Sequence, residues 1–211
     1  KRPWYYPKKD EKFRDAVMRE CRAVRHSLGI LDSSTLGKID IQGPDAGEFL
    51  DRIYTNSMKS LGVGSCRYGV MLSEDGMVFD DGVIARLAEN HYLVHTTSTG
   101  ASKVLDWLEE YLQTEWPHLK VYCNSVTEHW ATICLAGPNS RLLLSEFTDI
   151  DMSPETFPFM TVREGLVSGI KARILRVSFS GELSFEVNIP AHAAIGLWSQ
   201  LILAGSRYDI T

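Results

Sequence analysis

The sequence predicts an α+β fold built from repeated strand–helix modules. Strand-like alternation recurs along the 211 residues, in runs such as Lys38–Gln42, Asn90–Thr97 and Leu183–Ile189. Apolar residues at helical spacing follow several of these runs, as in Phe49, Leu50 and Ile53. The strand-to-helix junction itself also recurs. Gly43-Pro44-Asp45-Ala46 and Gly137-Pro138-Asn139-Ser140 each open a helix, with a looser copy at Pro190. Proline suits the first helical turn, because the N–H it lacks would have no partner there. Such units lay their helices on one face of a sheet, and the copies are too diverged for a solenoid.

Taken in order, Lys1–Lys9 is aromatic and proline-bracketed, hence extended. Asp10 is placed to cap a helix in which Phe13, Val17, Cys21 and Val24 form the apolar stripe, ending near His26. Leu28–Leu31 and Lys38–Gln42 read as strands, and the first Gly-Pro helix follows. Asn90–Thr97 is a strand leading through Thr99-Gly100-Ala101 into a helix carrying Val104, Leu105, Leu108 and Leu112. Lys120–Val126 and Ala131–Ala136 are strands before the second Gly-Pro helix. Asp149–Pro158 is loop. Leu166–Ile170, Ala172–Phe179 and Leu183–Ile189 are the remaining strands, and Ile195, Trp198 and Leu201 mark the last helix.

Composition narrows the function. Hydrophobic residues at 44% and charged residues at 23% are ordinary for a globular protein. A net charge of −5 argues against nucleic-acid and membrane-surface partners. No apolar run reaches the length of a membrane span, and no signal peptide is visible. Cys21, Cys66, Cys123 and Cys134 form no CxxC, which fits a reducing, cytoplasmic setting. Six histidines show no metal-ligand spacing, so no metal centre is expected; His91 and His95 are four apart, but on a strand. The first and last residues read as cuts, so a fragment of a longer polypeptide is expected.

Chemistry points first to Tyr68–Arg86. Tyr68–Leu72 and Met77–Arg86 flank Ser73-Glu74-Asp75-Gly76, and Asp-Gly between apolar runs signals a hairpin. Alternation puts Met77, Phe79, Asp81, Val83 and Ala85 on one face, where Asp81 is the only polar residue; Asp80 points the other way. A carboxylate among apolar neighbours is costly to desolvate, which marks either a site of chemistry, a cap on neighbouring backbone, or a bulge after Asp80 that turns Asp81 to solvent. In Leu183–Ile189 the core face is Leu183, Phe185, Val187 and Ile189. Glu186, opposite with Ser184 and Asn188, reads by itself as a solvated strand residue.

The run GVMLSEDGMVFDDGVIA followed by NHYLVHTT resembles the folate-binding core of the aminomethyltransferase family. Leu31-Asp32-Ser33-Ser34, Leu135-Ala136-Gly137-Pro138, Phe157-Pro158-Phe159-Met160 and Ser180-Gly181-Glu182 leading to Glu186 support it in the same order. The family includes the glycine-cleavage T-protein and the folate domains of dimethylglycine dehydrogenase and sarcosine oxidase. The N-terminal RPWYYP and the HTTSTGA segment bring the sarcosine oxidase branch nearest. The resemblance runs along residues 1–211 as one folate-binding domain and implies part of a clover-like ring of three α+β subdomains. It implies that Asp81 is the catalytic aspartate, that Glu186 binds the pterin, and that Tyr68 and Asp80 lie near the folate.

The implied chemistry is one-carbon transfer. A sarcosine-derived imine passes its carbon to tetrahydrofolate, giving glycine and 5,10-methylenetetrahydrofolate, with water excluded so that formaldehyde does not form. The implied partners are the beta, gamma and delta subunits of such an oxidase. FAD, FMN and NAD belong elsewhere in the complex, since no GxGxxG motif is present. The family's GYTGE turn is here Ser178-Phe179-Ser180-Gly181-Glu182, and its asparagine after the VV strand falls in Thr96-Thr97-Ser98. The chain also stops short of the family's downstream arginine-bearing segment and C-terminal barrel. Two other readings stand beside this one: a T-protein-like aminomethyltransferase drawing on a lipoyl carrier, and a non-catalytic folate-binding protein. The Asp80-Asp81 pair favours catalysis.

Overall fold

The computed structural model describes residues 7–211; Trp4, Tyr5 and Tyr6 lie outside them. The strands are β1 (Gly29–Asp32), β2 (Gly37–Gln42), β3 (Cys66–Leu72), β4 (Val78–Ala88), β5 (His91–Thr96), β6 (Tyr122–Ser125), β7 (Trp130–Ala136), β8 (Thr161–Val167), β9 (Ile170–Arg176) and β10 (Ser184–Pro190). The α-helices are α1 (Phe13–His26), α2 (Ala46–Ile53), α3 (Ala101–Thr114), α4 (Ser140–Ser145) and α5 (Ala194–Gly205). The strands form two antiparallel five-stranded sheets, ordered β1-β7-β10-β9-β8 and β3-β4-β5-β2-β6.

Each sheet buries one face beneath helices. Phe49, Leu50 and Ile53 of α2 and Val104 and Leu108 of α3 cover Ile39, Ile41, Ile84 and Val94. Leu143 and Leu144 of α4 and Leu197 and Leu201 of α5 cover Ile133, Leu135, Ile174, Phe185 and Val187. Side chains of this size contribute about 1.5–3 kcal/mol each when fully buried. The other faces of the sheets meet each other, through Cys66, Ala85 and Leu93 on one and Val162, Leu175 and Val177 on the other. The result is four layers, helices outside and sheets inside.

The two sheets are copies of one arrangement. Read from its other edge, the second sheet runs β6-β2-β5-β4-β3, matching β1-β7-β10-β9-β8 element for element. Gly43 (φ 138°) and Gly137 (φ 124°) follow equivalent strands. Each passes so close to a backbone carbonyl, of Lys120 and Ser27 respectively, that a Cβ would collide with it. Where the halves touch, the hydrogen bonds are reciprocal. The Cys66 N–H donates to the Met160 carbonyl (2.7 Å) and the Val162 N–H to the Gly64 carbonyl (2.9 Å). The N–H groups of Gly64 and Met160 in turn donate to the carbonyls of Arg86 and Arg176, both at 2.8 Å. Such an exchange is the signature of a two-fold relation. The Pro190 junction is therefore no third module: β10 and α5 close the second copy as β5 and α3 close the first.

Local readings fail at Asp10 and at residues 166–170. Asp10 adopts φ 64° and caps nothing; Lys12 holds the N-cap position of α1 without a side-chain hydrogen bond. The predicted strand Leu166–Ile170 is instead the tip of the β8–β9 hairpin, which turns at Ser168 (φ 51°) and Gly169 (φ 76°). The Ser-Gly pair was the available signal.

Gly137→Ala forces an L-residue into a strained conformation, worth about 1–3 kcal/mol, and adds a Cβ 2.5 Å from the Ser27 oxygen. Gly76→Ala, at φ 79° with no atom within 4 Å of the new Cβ, adds no clash. Urea unfolding is expected to show the larger loss for Gly137→Ala; equal losses would contradict the close approach.

Candidate functional site

The β3–β4 hairpin positions the first group of residues. Its turn closes with the Gly76 N–H donating to the Ser73 carbonyl at 2.8 Å. Beyond the turn, Met71 pairs with Asp80 but Leu72 pairs with Val78, so Phe79 is an extra, bulged residue. The bulge turns Phe79 onto the helix side, where its ring lies 4.2 Å from that of Trp107. Met77 is left 66% exposed. The predicted five-residue face is therefore broken, and only Asp81, Val83 and Ala85 share it, turned towards the other sheet. The bulge precedes Asp80 instead of following it, so it does not direct Asp81 away from that face.

Asp81 is half-buried, and the Tyr68 hydroxyl donates to its Oδ2 at 2.8 Å. That hydrogen bond to the Asp81 carboxylate pushes the Tyr68 phenol above its ordinary pKa. Tyr68 is 49% exposed, so the pair sits at an open edge of the gap between the sheets. Asp80 is not brought together with them. It is buried on the helix side, where its Oδ1 accepts the Thr97 N–H at 3.3 Å. Its Oδ2 lies so close to Gly100 that no Cβ would fit there. Asp80 thus braces the entry to α3.

Glu186 is the second component. Its cross-strand neighbours are Cys134 and Leu175, so its face is covered by the other sheet and is not solvated as alternation alone suggested. Burial pushes its carboxyl up to about 7, against the opposing influence of Lys38. Among the described residues none donates a hydrogen bond to it.

Lys38 and His95, cross-strand partners on β2 and β5, complete the gap. The Lys38 side chain is fully buried, and its Nζ donates to the carbonyls of Ser34 (3.0 Å) and Leu36 (2.9 Å). Burial pulls its ammonium down to about 8, offset by Glu186 first, then Asp32 and Glu128. His95 is buried beside it, with Nδ1 3.3 Å from the Val83 carbonyl, and burial holds the imidazole down near 4, so it is neutral. Nearby, the Thr132 hydroxyl donates to Asn188 Oδ1 at 2.7 Å, and Asp40 lies 3.2 Å from His91 and 3.6 Å from Arg173. Lys38, His95 and Asn188 were not singled out by sequence, because a polar residue facing a second sheet alternates just as one facing water does.

Two surface hollows, of about 350 Å³ beside Leu112 and Val121 and about 410 Å³ beside Phe79 and Trp107, include neither Asp81 nor Glu186. Among the described residues no group of three or more His, Cys, Asp or Glu could hold a metal ion, and no helix is long and apolar enough to cross a membrane.

The fold is a pseudo-two-fold pair of helix-backed antiparallel sheets. The chain belongs to the GCVT N-terminal domain family, which matches residues 1–211. It is 55% identical over 213 residues to the sarcosine oxidase subunit alpha of Corynebacterium sp. strain U-96, covering 100% of this chain and 22% of that protein. It is 30% identical over 195 residues to the aminomethyltransferase of Bacillus subtilis strain 168, covering 92% of this chain and 52% of that protein. The glycine cleavage system aminomethyltransferase T of Bartonella henselae has the same fold, with a TM-score of 0.77 at 24% identity over 89% of this chain and 48% of that one. The chain thus spans about a fifth of the length of the sarcosine oxidase subunit it matches.

Asp81→Asn removes the charge that raises the Tyr68 phenol. The Tyr68 titration, followed by NMR of labelled tyrosine, is expected to move down towards its ordinary value. An unmoved titration would show that the 2.8 Å contact is not kept in solution.

Proposed function

We propose that this chain is the tetrahydrofolate-binding domain of a sarcosine oxidase alpha subunit, serving transfer of the one-carbon unit from the sarcosine-derived imine. One observation carries the reading. Glu186 is a carboxylate desolvated between the sheets and given no hydrogen-bond donor by the described residues. Folded proteins rarely leave such a group without a partner unless a ligand supplies one.

The donor chemistry of the residues fits the ligand. An ionised carboxylate accepts two parallel hydrogen bonds, and the 2-amino and N3–H edge of a pterin presents two parallel donors. Asp81 offers a second carboxylate at the open edge of the same gap, oriented by the Tyr68 hydroxyl. When bound, tetrahydrofolate supplies the nucleophilic nitrogen that accepts the one-carbon unit and releases glycine. Asp81 stabilises positive charge at that edge and holds or relays a proton there, while Tyr68 fixes the carboxylate's direction. The apolar surface of Ala85, Leu93 and Leu175 keeps water from the interior of the gap. Asp80 enters this reading as the brace of the α3 entry and not as a ligand contact. Phe179, fully exposed where the family carries tyrosine, contributes a ring without a hydroxyl. The 55% identity to a sarcosine oxidase subunit, against 30% to an aminomethyltransferase, favours the oxidase over a T-protein role. Other subunits of the oxidase are accordingly the proposed partners.

Sign and pH window follow from the Glu186 carboxyl near 7. Below that pH it is protonated and no longer a pure acceptor, so affinity is expected to rise between about pH 6 and 8. In the intact protein, calorimetry with 5-formyltetrahydrofolate is expected to show Glu186→Gln weakening binding by about 10–100-fold, the scale of hydrogen bonds to a charged group. Unaltered affinity removes Glu186 from the site. Asp81→Asn is expected to fold normally and to lower the folate-dependent yield of 5,10-methylenetetrahydrofolate by about 10²–10⁴-fold. An unchanged yield removes Asp81 from the chemistry.

A further inference from the structure

We propose that Lys38 is a positioning residue of this site: its buried ammonium, anchored by two loop carbonyls, is the fixed counter-charge that favours the ionised form of Glu186 for its ligand. The proposal rests on the folate reading only for the ligand's name.

A fully buried lysine is rare unless it is paired. The two hydrogen bonds Lys38 makes, to Ser34 and Leu36, satisfy its protons without neutralising its charge. Among the described residues no carboxylate lies within 4.0 Å of its Nζ. The carboxylate that most supports its charge is Glu186, on the opposing sheet. The dependence is mutual: among the described residues, Lys38 is the charge that opposes the effect of burial on Glu186. The placement is geometric: Asp40, two residues from Lys38 on β2, reaches across to Arg173 at 3.6 Å, and Leu93 packs on Leu175, the cross-strand neighbour of Glu186. A buried cation and a half-buried carboxylate thus lie on facing sheets without an ion-pair contact. The anion keeps its lone pairs free, while the cation is held in place by backbone.

The other titratable groups around the pair carry no competing charge or are engaged elsewhere. The Cys66 and Cys134 thiols are pushed up to about 12 and about 11 by burial and stay neutral. His95 is neutral as well. Arg173 is engaged by Glu164 at 2.8 Å and Asp40 at 3.6 Å. Asp32 and Glu128 act on Lys38 alone, as weaker supports of its charge.

The internal repeat gives an independent reason to treat the two charges as a unit. Counting back from Gly43 and Gly137, Lys38 is equivalent to Thr132. Through the registers of β5 and β10, Glu186 is equivalent to Leu93. Neither half holds both charges, and neither charge has a counterpart in the other half.

The test compares wild type, Lys38→Met and Lys38→Arg in the intact protein, with Glu186 titrated by carboxyl NMR and folding checked by circular dichroism. Lys38→Met is expected to raise the Glu186 midpoint by about one pH unit or more, a tenfold change in its ionisation ratio. Lys38→Arg is expected to restore it. A Glu186 midpoint that does not move in Lys38→Met overturns the proposal, because a lysine that merely braces the 34–36 turn leaves that titration in place. Should Lys38→Met fail to fold, Glu186→Gln provides the reciprocal measurement. The Lys38 ammonium midpoint must then fall, and an unchanged value overturns the proposal. In parallel, the acid limb of 5-formyltetrahydrofolate affinity is expected to follow the Glu186 midpoint across the variants. Absence of binding by the wild type would overturn the folate reading, while the NMR comparison still decides the role of Lys38.

Discussion

Everything distinctive about this domain depends on the desolvation of the surface where its two sheets meet. An antiparallel sheet commonly packs one face and leaves the other in water. Here both faces are covered, because Cys66, Ala85 and Leu93 press on Val162, Leu175 and Val177. The reciprocal backbone bonds between Cys66 and Met160 and between Val162 and Gly64 fix how the sheets register. With that apolar patch closed, Lys38, His95 and Glu186 lie in a medium where water no longer screens them. Their titrations are displaced for that one shared reason.

Glu186 shows what the arrangement costs. Its carboxyl, raised to about 7 from an ordinary 4.5, binds its proton more tightly in the folded chain than in the unfolded one. The folded state therefore loses stability as pH rises through that interval, by an amount on the order of a few kcal/mol. A hydrophobic residue there would be the more stable choice, as Leu93 shows at the equivalent place in the other half. Asp81 lies at the open edge, where the Tyr68 hydroxyl donates to it. The two carboxylates differ in environment as they differ in proposed role.

Sequence conveyed the framework better than the interior. The helices α2 and α3 were legible from apolar spacing, and the Gly-Pro junctions announced the repeat, because both are local signals with local physical causes. Asp81 was isolated by alternation, yet the face drawn around it was wrong. One bulged residue, Phe79, shifts every side chain on its turn-ward side, and no periodicity records it. Glu186 was misread from the strand alone for a different reason. Water and a second sheet impose the same alternation on a strand, so periodicity does not separate the two. Lys38 escaped notice on the same ground, looking like the polar start of an ordinary strand. The Asp10 cap failed because that residue lies two positions too early and in a left-handed conformation.

The repeat also bears on stoichiometry. A seam built from reciprocal bonds is self-complementary, so a lone half would present the surface a second identical half requires. In a homodimer of such halves, any residue introduced at the seam appears twice, and a carboxylate would meet its own image's charge across the axis. Joining both halves in one polypeptide lifts that constraint. Position 93 keeps leucine while position 186 takes glutamate, and position 38 takes lysine while position 132 keeps threonine. Symmetry survives in the backbone and is broken in the side chains, so a scaffold with two equivalent halves carries Lys38 and Glu186 once each.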